Sequence, residues 1–478
     1  VKLTALLGRI LLGALMALSL PPFGLWVLAP LAIGAYLKYS RDASYRRQFT
    51  NAFALWVGYF AAGLTWMTDL TVAGWLAAIP VQALIMALPM ALVPSTGLGR
   101  AVGVPAALVV GETTRWVIPF GGVPMSSLAM GPIDTYLVDV VRISGPLLLI
   151  ALIGILAIAC EGAISRNFKA VWISISLSIA LVALAQVSPR GEIEETIVGS
   201  VVQAGGDLGT RAATSSQGDV FRRHLEAMEL QDSKSDLIVW SESSVTVNAP
   251  LEESRELNAI THLASELDAV IIANFSEIDG NNFRNASVAV NPKNGIGGRY
   301  DKVHLVPFGE YIPLRGLVEN FADLSLIPRE ALPGSGPGIL DSALGPIGNV
   351  ISFEVYFPER VRSGIRAGAT IITNPTLASS YTNSLVPEQS LASARLRAIE
   401  SDRWVLQAST TGYSAIVAPD GQVVAESRLR DQAILTEHVE LRKGNTWATN
   451  LGKLPISFLA FGLLTISHLI SIRRRELL

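Results

Sequence analysis

The chain has one cysteine, Cys160, and only five histidines among its 478 residues. A single thiol cannot close an intramolecular disulfide or build a thiolate metal cluster, and the histidines show no ligand-pair spacing, so neither a metal nor another cofactor is expected. Charge is also scarce. Only 16% of the residues are Asp, Glu, Lys or Arg, against about 25% in an ordinary soluble chain. The net charge of −3 leaves no basic footprint for a nucleic acid partner. Half of the residues are hydrophobic, a surplus that calls for an apolar phase larger than a protein core.

That surplus is unevenly placed. Residues 3–187 are long apolar runs broken by short polar loops, residues 188–446 are mixed, and a last apolar run at 451–472 precedes Arg473, Arg474 and Arg475. With about 20 residues per membrane-spanning helix, spans are predicted at 4–20, 22–38, 49–67, 73–95, 101–119, 143–161 and 169–187, with one more at 451–472. Pro21-Pro22 interrupts the first two, and Arg9 lies inside the first. With a cytoplasmic N-terminus, Lys38, Arg41, Arg46, Arg47, Arg100, Arg166, Lys169 and the three terminal arginines share one side. The short loops around Pro21 and Thr71 carry no Lys or Arg. Positive charge stays inside, so the mixed region faces outward. A cleaved signal peptide is the competing reading of the first segment, but six more spans follow it and no small-residue cleavage site stands out. The loop from Glu112 to Gly145 contains Trp116, Pro119, Phe120, Pro124 and Met125, a composition suited to the membrane interface.

The expected organisation is therefore a transmembrane helical bundle at 1–187, an outward α/β domain at 188–446, and a C-terminal transmembrane helix with a basic tail at 447–478. Within the middle region strands are predicted at 196–203, 237–240, 269–274, 286–291, 348–353, 370–373, 404–408 and 414–417. Helices are predicted at 218–230 and 251–267. Turn signals such as Asn291-Pro292, Asn294-Gly295 and Pro419-Asp420-Gly421 separate them, and the alternation implies a layered α/β fold. Three polar residues stand at or just beyond the ends of apolar runs. Glu242 follows Leu237-Ile238-Val239-Trp240, Lys302 opens a stretch ending in Pro307-Phe308-Gly309-Glu310-Tyr311-Ile312-Pro313, and Ser352 follows Val350-Ile351. Singly, each is an ordinary surface or turn residue. Together, an acid, an ammonium and a hydroxyl supply a general base, an oxyanion stabiliser and a nucleophile.

The stretch from Tyr300-Asp301-Lys302 through His304-Leu305-Val306-Pro307-Phe308-Gly309-Glu310-Tyr311-Ile312-Pro313 resembles bacterial apolipoprotein N-acyltransferases. So do Trp240 to Glu242, Ser352-Phe353-Glu354, and Thr410-Thr411-Gly412-Tyr413-Ser414-Ala415 with Asp420-Gly421. The resemblance covers nearly the whole chain and implies eight spans with an outward nitrilase-like αββα sandwich before the last. It implies a Glu-Lys-Cys triad at Glu242, Lys302 and Ser352, with Glu310 supporting the lysine, Glu354 beside the nucleophile and backbone N–H groups near Phe353 assisting the oxyanion. The implied reaction moves an acyl chain from a phospholipid to the nucleophile and then to the α-amino group of a diacylglyceryl-cysteine on an apolipoprotein. Its partners are thus a phospholipid donor, a diacylglyceryl-apolipoprotein acceptor and membrane lipids, in the inner or plasma membrane.

The sequence departs from that pattern at the nucleophile. Ser352 stands where the resemblance places cysteine, and Cys160 lies at the end of the sixth predicted span, on the side of the basic loops. A thiol with a pKa of about 8.5 already provides some thiolate at neutral pH, whereas a serine depends on its base throughout the attack. Weak or no acyl transfer is the expectation, a site retuned to serine the other possibility. Ser241 replaces a proline usual before the glutamate, and Asn374-Pro375-Thr376-Leu377-Ala378 replaces an Asn-Asp-x-Trp-Phe-like run after a strand. Residues 311–326, with Ile312, Leu314, Leu317, Phe321, Leu324 and Leu326, read either as a lid at the interface or as a loop packed on its own core. The competing function is a catalytically dead relative that binds lipid, lipoprotein or another membrane enzyme. Hydrolysis of a small soluble amide leaves the spans unexplained, and a transporter finds few ionisable residues in them.

Overall fold

Where water is absent the backbone must satisfy its own polar groups, so long apolar runs fold as helices. A computed structural model of the chain describes residues 3–69, 71–206, 217–319, 329–377 and 385–476. It divides into two compact units, Val1–Pro189 with Thr446–Leu478, and Arg190–Asn445.

The first unit is helical. Its longer helices are Leu3–Met16, Leu28–Tyr39, Tyr45–Gly63, Val72–Ala91, Gly97–Arg115, Pro146–Ile164, Phe168–Gln186 and Lys453–Glu476. Among the described residues, four have both the length and the composition to cross a membrane: Val72–Ala91, Pro146–Ile164, Phe168–Gln186 and Lys453–Ile470. Leu3–Met16 and Leu28–Tyr39 have 14 and 12 residues, below the usual minimum of about 17. The helices Leu3–Met16 and Tyr45–Gly63 approach so closely that a Cβ on Gly13 would overlap the Leu55 carbonyl, and one on Gly58 the Ile10 carbonyl. Small residues allow this backbone contact, the packing mode open to helices in lipid.

Two buried charge clusters tie the helix ends. Arg100 reaches Glu161 Oε2 at 3.2 Å and the carbonyls of Pro94 and Leu37, while Arg41 reaches Glu161 Oε1 at 3.4 Å. Lys38 donates to Ser165, and Ser467 to the carbonyl of Gly99. One end of the bundle therefore gathers the basic loops. In the second cluster Arg115 donates to Gln82 Oε1 at 2.7 Å, Glu112 Oε2 at 2.8 Å and the carbonyls of Val123 and Met125. This corrects the expected loop start at Glu112: the helix runs on to Arg115, because Glu112 and Arg115 neutralise each other one turn apart. The following segment is pinned by Arg115 and by Tyr59, whose hydroxyl donates to Ser126 O at 3.0 Å. Leu128 to Ile133 are buried.

The second unit holds fourteen named strands among the described residues. They are β1 (Glu192–Gln203), β2 (Leu237–Val239), β3 (Val245–Asn248), β4 (Val270–Asp279), β5 (Asn282–Asn291), β6 (Gly295–Asp301) and β7 (Glu330–Ala331), followed by β8 (Ile339–Ser342), β9 (Gly345–Asn349), β10 (Ile372–Thr376), β11 (Val405–Ser409), β12 (Ala415–Val417), β13 (Val423–Glu426) and β14 (Ala433–Lys443). One sheet runs β14-β1-β2-β4-β5-β6, with β3 on β4 and β7 on β5; the other runs β13-β12-β11-β10-β9-β8. Strands β1, β2 and β4 are parallel, as are β9, β10 and β11. Ile197, Leu237, Val239 and Ile272 of the first sheet pack on Leu340, Ile347, Leu406 and Ile416 of the second. On the first sheet's outer face, Ile238, Trp240 and Ile271 meet Leu257, Ile260 and Ala264 of the helix Arg255–Leu267 and Ala227 of the helix Gln217–Met228. The helices Pro358–Arg366 and Val386–Ser401 pack against the second sheet. The result is a helix–sheet–sheet–helix layering, a nitrilase-like α/β domain.

Two strand expectations shift. The predicted strand at 348–353 ends at Asn349, and a 3-10 helix, Ser352–Tyr356, follows. The one at 370–373 moves to Ile372–Thr376, so Asn374, Pro375 and Thr376 lie inside a strand rather than after it. Pro375 fits because β10 pairs with β9 only at Ile372 and Thr373, leaving that side of the strand free at Pro375.

Leu406 is fully buried between the two sheets. Leu406→Ala is expected to cost about 2–5 kcal/mol, seen as a lowered unfolding midpoint of the purified protein in detergent, whereas Leu230→Ala, at an exposed site, changes stability by about 0.5 kcal/mol or less.

Candidate active site

The site is assembled where strands of both sheets end. Glu242 lies in the turn after β2. That turn is fixed by Trp240 N–H on Ile272 O at 2.9 Å and by Ser243 N–H on Asn274 Oδ1 at 2.6 Å, with Ser243 in the left-handed region. Lys302 follows β6 directly and donates its own N–H to Asn285 O at 2.8 Å. Its ammonium, 1% exposed, lies 2.9 Å from Glu242 Oε1 and 2.9 Å from Glu310 Oε1. Burial alone pushes an ammonium pKa down, but the two carboxylates outweigh it and hold Lys302 above its ordinary range. The lysine is a fixed cation.

Asn285, in β5, joins both carboxylates: its Nδ2 donates to Glu242 Oε1 at 2.8 Å and to Glu310 Oε1 at 3.2 Å. Asn274, in β4, orients it by donating to Asn285 Oδ1 at 2.9 Å. Glu310 Oε2 accepts the Val306 N–H at 2.7 Å, which folds residues 306–310 back over the lysine. A carboxylate offers about four acceptor positions. Among the described residues, Glu242 Oε1 is filled by Lys302 and Asn285, while Oε2 takes only the Leu377 N–H at 2.8 Å. One acceptor position on Oε2 remains open to a proton donor.

Ser352 opens the 3-10 helix that follows β9 and has φ +54°, a conformation uncommon for a non-glycine residue and held by its surroundings. Its N–H donates to Asn374 Oδ1 at 3.1 Å, and its Oγ lies 3.2 Å from Thr376 Oγ1. Asn374 is held in turn by Gln407, whose amide bonds Tyr413 O. Ser352 is not hydrogen-bonded to Glu242 or Lys302 themselves. The link runs through β10: Thr376 touches Ser352, and the next residue, Leu377, touches Glu242.

The remaining expected residues have distinct places. Glu354 is fully buried and accepts from Tyr300 OH, Val303 N, His304 N and Ile351 N at 2.8–3.0 Å. It is a strut that locks the turn bearing Ser352 to the segment after Lys302. The Phe353 ring packs against Tyr356 and Phe357, and its N–H lies in the first turn of a 3-10 helix, where intrahelical acceptors are lacking. Of the expected lid, Ile312 is buried and Leu314 is 65% exposed. Phe321, Leu324 and Leu326 lie outside the described residues.

With this geometry in view, the comparisons with known proteins are decisive. A carbon-nitrogen hydrolase family model matches residues 181–449, and a model of the apolipoprotein N-acyltransferase N-terminal domain matches residues 12–159. The chain belongs to the apolipoprotein N-acyltransferase family. Relatives include the apolipoprotein N-acyltransferase of Geobacter metallireducens, 27% identical over 97% of this chain and 96% of the relative. That of Shewanella oneidensis is 25% identical over 98% and 95%. Among solved structures, Saccharomyces cerevisiae Nit3, a member of branch 10 of the nitrilase superfamily, aligns with a TM-score of 0.41 and 20% identity over 53% of this chain and 93% of that one.

Several site residues escaped the reading of the sequence: Asn274, Asn285, Asn374, Thr376 and His224. The first four are buried polar residues within β-strands, and a buried polar side chain must find a partner. His224 lies beside Ser241, the residue before Glu242. Its Nδ1 faces Val220 O at 2.8 Å and so carries the proton, leaving Nε2 to accept from Ser241 Oγ at 3.1 Å; Ser241 Oγ also meets Thr410 Oγ1 at 2.8 Å. The serine found in place of a proline thus supplies a hydroxyl that this network uses.

Burial pushes His224 down from 6.5 to about 4. The unfolded chain takes up its proton near pH 6.5 and the folded chain only near pH 4, so stability is complete above about 6.5 and declines by about 3 kcal/mol as the pH falls to about 4. The unfolding midpoint of the purified protein is expected to fall across this window, with His224→Gln showing a shallower slope; parallel slopes refute the assignment. Separately, Lys302→Met leaves two carboxylates without their cation and is expected to cost about 3–5 kcal/mol, partly recovered by adding Glu310→Gln.

Proposed function

We propose that the chain transfers an acyl group from a phospholipid to the α-amino group of a diacylglyceryl-cysteine on an apolipoprotein, slowly, through an ester on Ser352. The observation that carries this reading is the strained Ser352 turn, joined through Thr376 and Leu377 to a carboxylate that keeps an open acceptor position beside a fixed cation.

In the first step Ser352 Oγ attacks the ester carbonyl of the donor and gives its proton to Glu242 Oε2. Lys302 and the Phe353 N–H face the negative charge that develops on the carbonyl oxygen. The tetrahedral intermediate collapses as the bond to the glycerol oxygen breaks, and that oxygen takes the proton from Glu242 and leaves as lysophospholipid. In the second step the acceptor amine attacks the ester and passes a proton to Glu242. The Ser352 C–O bond then breaks, the proton returns to Oγ, and the amide departs. Glu310 and Asn285 hold Lys302 and Glu242 in place throughout.

Both substrates are lipids, which fits a catalytic unit whose two ends continue into apolar helices. The eight longer helices of the first unit are read as eight passes. The buried charges on the less apolar of them are paired, as at Arg100–Glu161 and Arg115–Glu112, and paired charge is what a membrane interior tolerates. Outward apolar side chains such as Leu7, Leu11, Leu88, Trp172, Phe458 and Phe461 suit contact with lipid. The basic loops collect at one end, the cytoplasmic one by the positive-inside rule. The helices that flank residues 188–446 carry Lys169 and Arg473 to Arg475 at their other ends, and the positive-inside rule then favours a catalytic domain on the non-cytoplasmic side of the inner or plasma membrane.

Ser352→Cys, incubated with phospholipid in detergent, is expected to gain the mass of one acyl chain and to acylate a diacylglyceryl peptide faster than the unmodified chain by about tenfold or more. Glu242→Ala on that background abolishes both. Absence of an acyl-enzyme in the cysteine variant defeats the acyltransferase reading and favours a lipid- or protein-binding role, whose capture of lipid is indifferent to Ser352→Ala.

A further inference from the structure

A serine oxygen is a poor nucleophile unless its proton, its attacking lone pair and its second lone pair all point correctly. Thr376 is the group placed to enforce this. The residue is 2% exposed, and among the described residues the only hydrogen-bond partner of its hydroxyl is Ser352 Oγ, at 3.2 Å. A hydroxyl brings one donor and two lone pairs, so burying one for a single contact implies that the contact matters. The residue is fixed by its strand. Thr376 pairs with Ser409 of β11, and the next N–H, of Leu377, holds Glu242 Oε2 at 2.8 Å.

The geometry points to Thr376 as a positioning residue specific to a serine nucleophile. The inference rests on the reading of Ser352 as the acyl carrier. Thr376 Oγ1–H donates to one lone pair of Ser352 Oγ. The Ser352 proton is then directed to the open position on Glu242 Oε2, and the second lone pair is left for the carbonyl carbon. As the Oγ–C bond forms, the proton passes to Glu242 and the bond to the leaving oxygen breaks; Thr376 keeps its own proton throughout. A thiolate needs this support less, because its charge exists before attack and it has no proton to aim. Asn374, two residues earlier, holds the Ser352 N–H, so one strand fixes both the backbone and the oxygen of the nucleophile.

The test uses the full-length protein in detergent with a p-nitrophenyl acyl ester. Acylation of residue 352 breaks the ester's C–O bond and releases p-nitrophenolate, and both the mass gain and the release are measured. Thr376→Val, which keeps the shape and removes the hydroxyl, is expected to slow acylation at Ser352 by about tenfold to a hundredfold, less than the loss of about a hundredfold to a thousandfold from removing an oxyanion donor. Thr376→Ser restores most of the rate. On the Ser352→Cys background the loss from Thr376→Val is smaller by about tenfold. Equal losses on the two backgrounds assign Thr376 to strand packing and overturn the inference, as does an unaltered rate at Ser352, or a Ser352 that takes no acyl group in the unmodified chain. If Ser352→Cys draws acyl groups from phospholipid while Ser352 never does, the acyltransferase reading stands and the inference falls. If neither draws from phospholipid, yet the nitrophenyl ester acylates Ser352 with the expected Thr376 dependence, the reverse holds.

Discussion

A full positive charge buried to 1% exposure is the constraint on which this site depends. Removing an ammonium from water costs several kcal/mol even after the surroundings relax, so Lys302 is tenable only if carboxylates arrive within hydrogen-bonding distance. Glu242 comes from the turn after β2 and Glu310 from eight residues downstream of the lysine. The second can reach back only because the Val306 N–H captures its other oxygen. The path of residues 303–310 is therefore dictated by charge neutralisation as much as by packing. Asn285 completes the arrangement by keeping the two acids apart while donating to both.

The second sheet meets this cluster through β10. Asn374, Thr376 and Leu377 contact in turn the backbone of Ser352, its hydroxyl and Glu242. Beneath them Glu354 binds Ile351 on one side and Val303 and His304 on the other. Ser352 and the Lys302 cluster are thus tied twice, from the side by a strand and from below by a buried carboxylate. Such double fixation is what allows Ser352 to stay at a positive φ against its local preference.

Much of this was legible in the residue order, for physical reasons that can be named. Glu242 stood out because it lies just beyond four apolar residues that mark a strand, and Lys302 because it opens the distinctive stretch that runs to Pro313. Strand β6, Gly-Ile-Gly-Gly-Arg-Tyr-Asp, was not legible: it has no apolar alternation, and its extended form comes from pairing with β5, a tertiary effect that overrides local propensity. The limits of β10 were missed because Asn-Pro normally signals a turn, yet β9 has ended by the level of Pro375 and asks for no N–H there. The expected loop from Glu112 begins at a charged residue and overlaps the span predicted at 101–119. Arg115 instead turns that charge inward onto Gln82, Glu112 and two carbonyls, which no one-dimensional pattern displays.

The charge inventory bears on how Ser352 would serve as the proposed acyl carrier. Glu242, Glu310 and Lys302 carry a net charge of −1 before reaction. On the proposed path, protonating Glu242 removes one negative charge just as the oxyanion acquires one, so the total around Lys302 stays at −1 and the cation keeps two anionic neighbours. The buried site need not absorb a change in net charge; it only moves the charge from one side of the ammonium to the other. A cysteine makes part of that shift in advance as thiolate. A serine makes all of it during bond formation, so its rate depends on how well its hydrogen is aimed at the one free position on Glu242 Oε2. The chemical demand therefore moves from the acidity of the nucleophile to the geometry of its neighbours, and those neighbours are the strand-held groups at Asn374, Thr376 and Leu377.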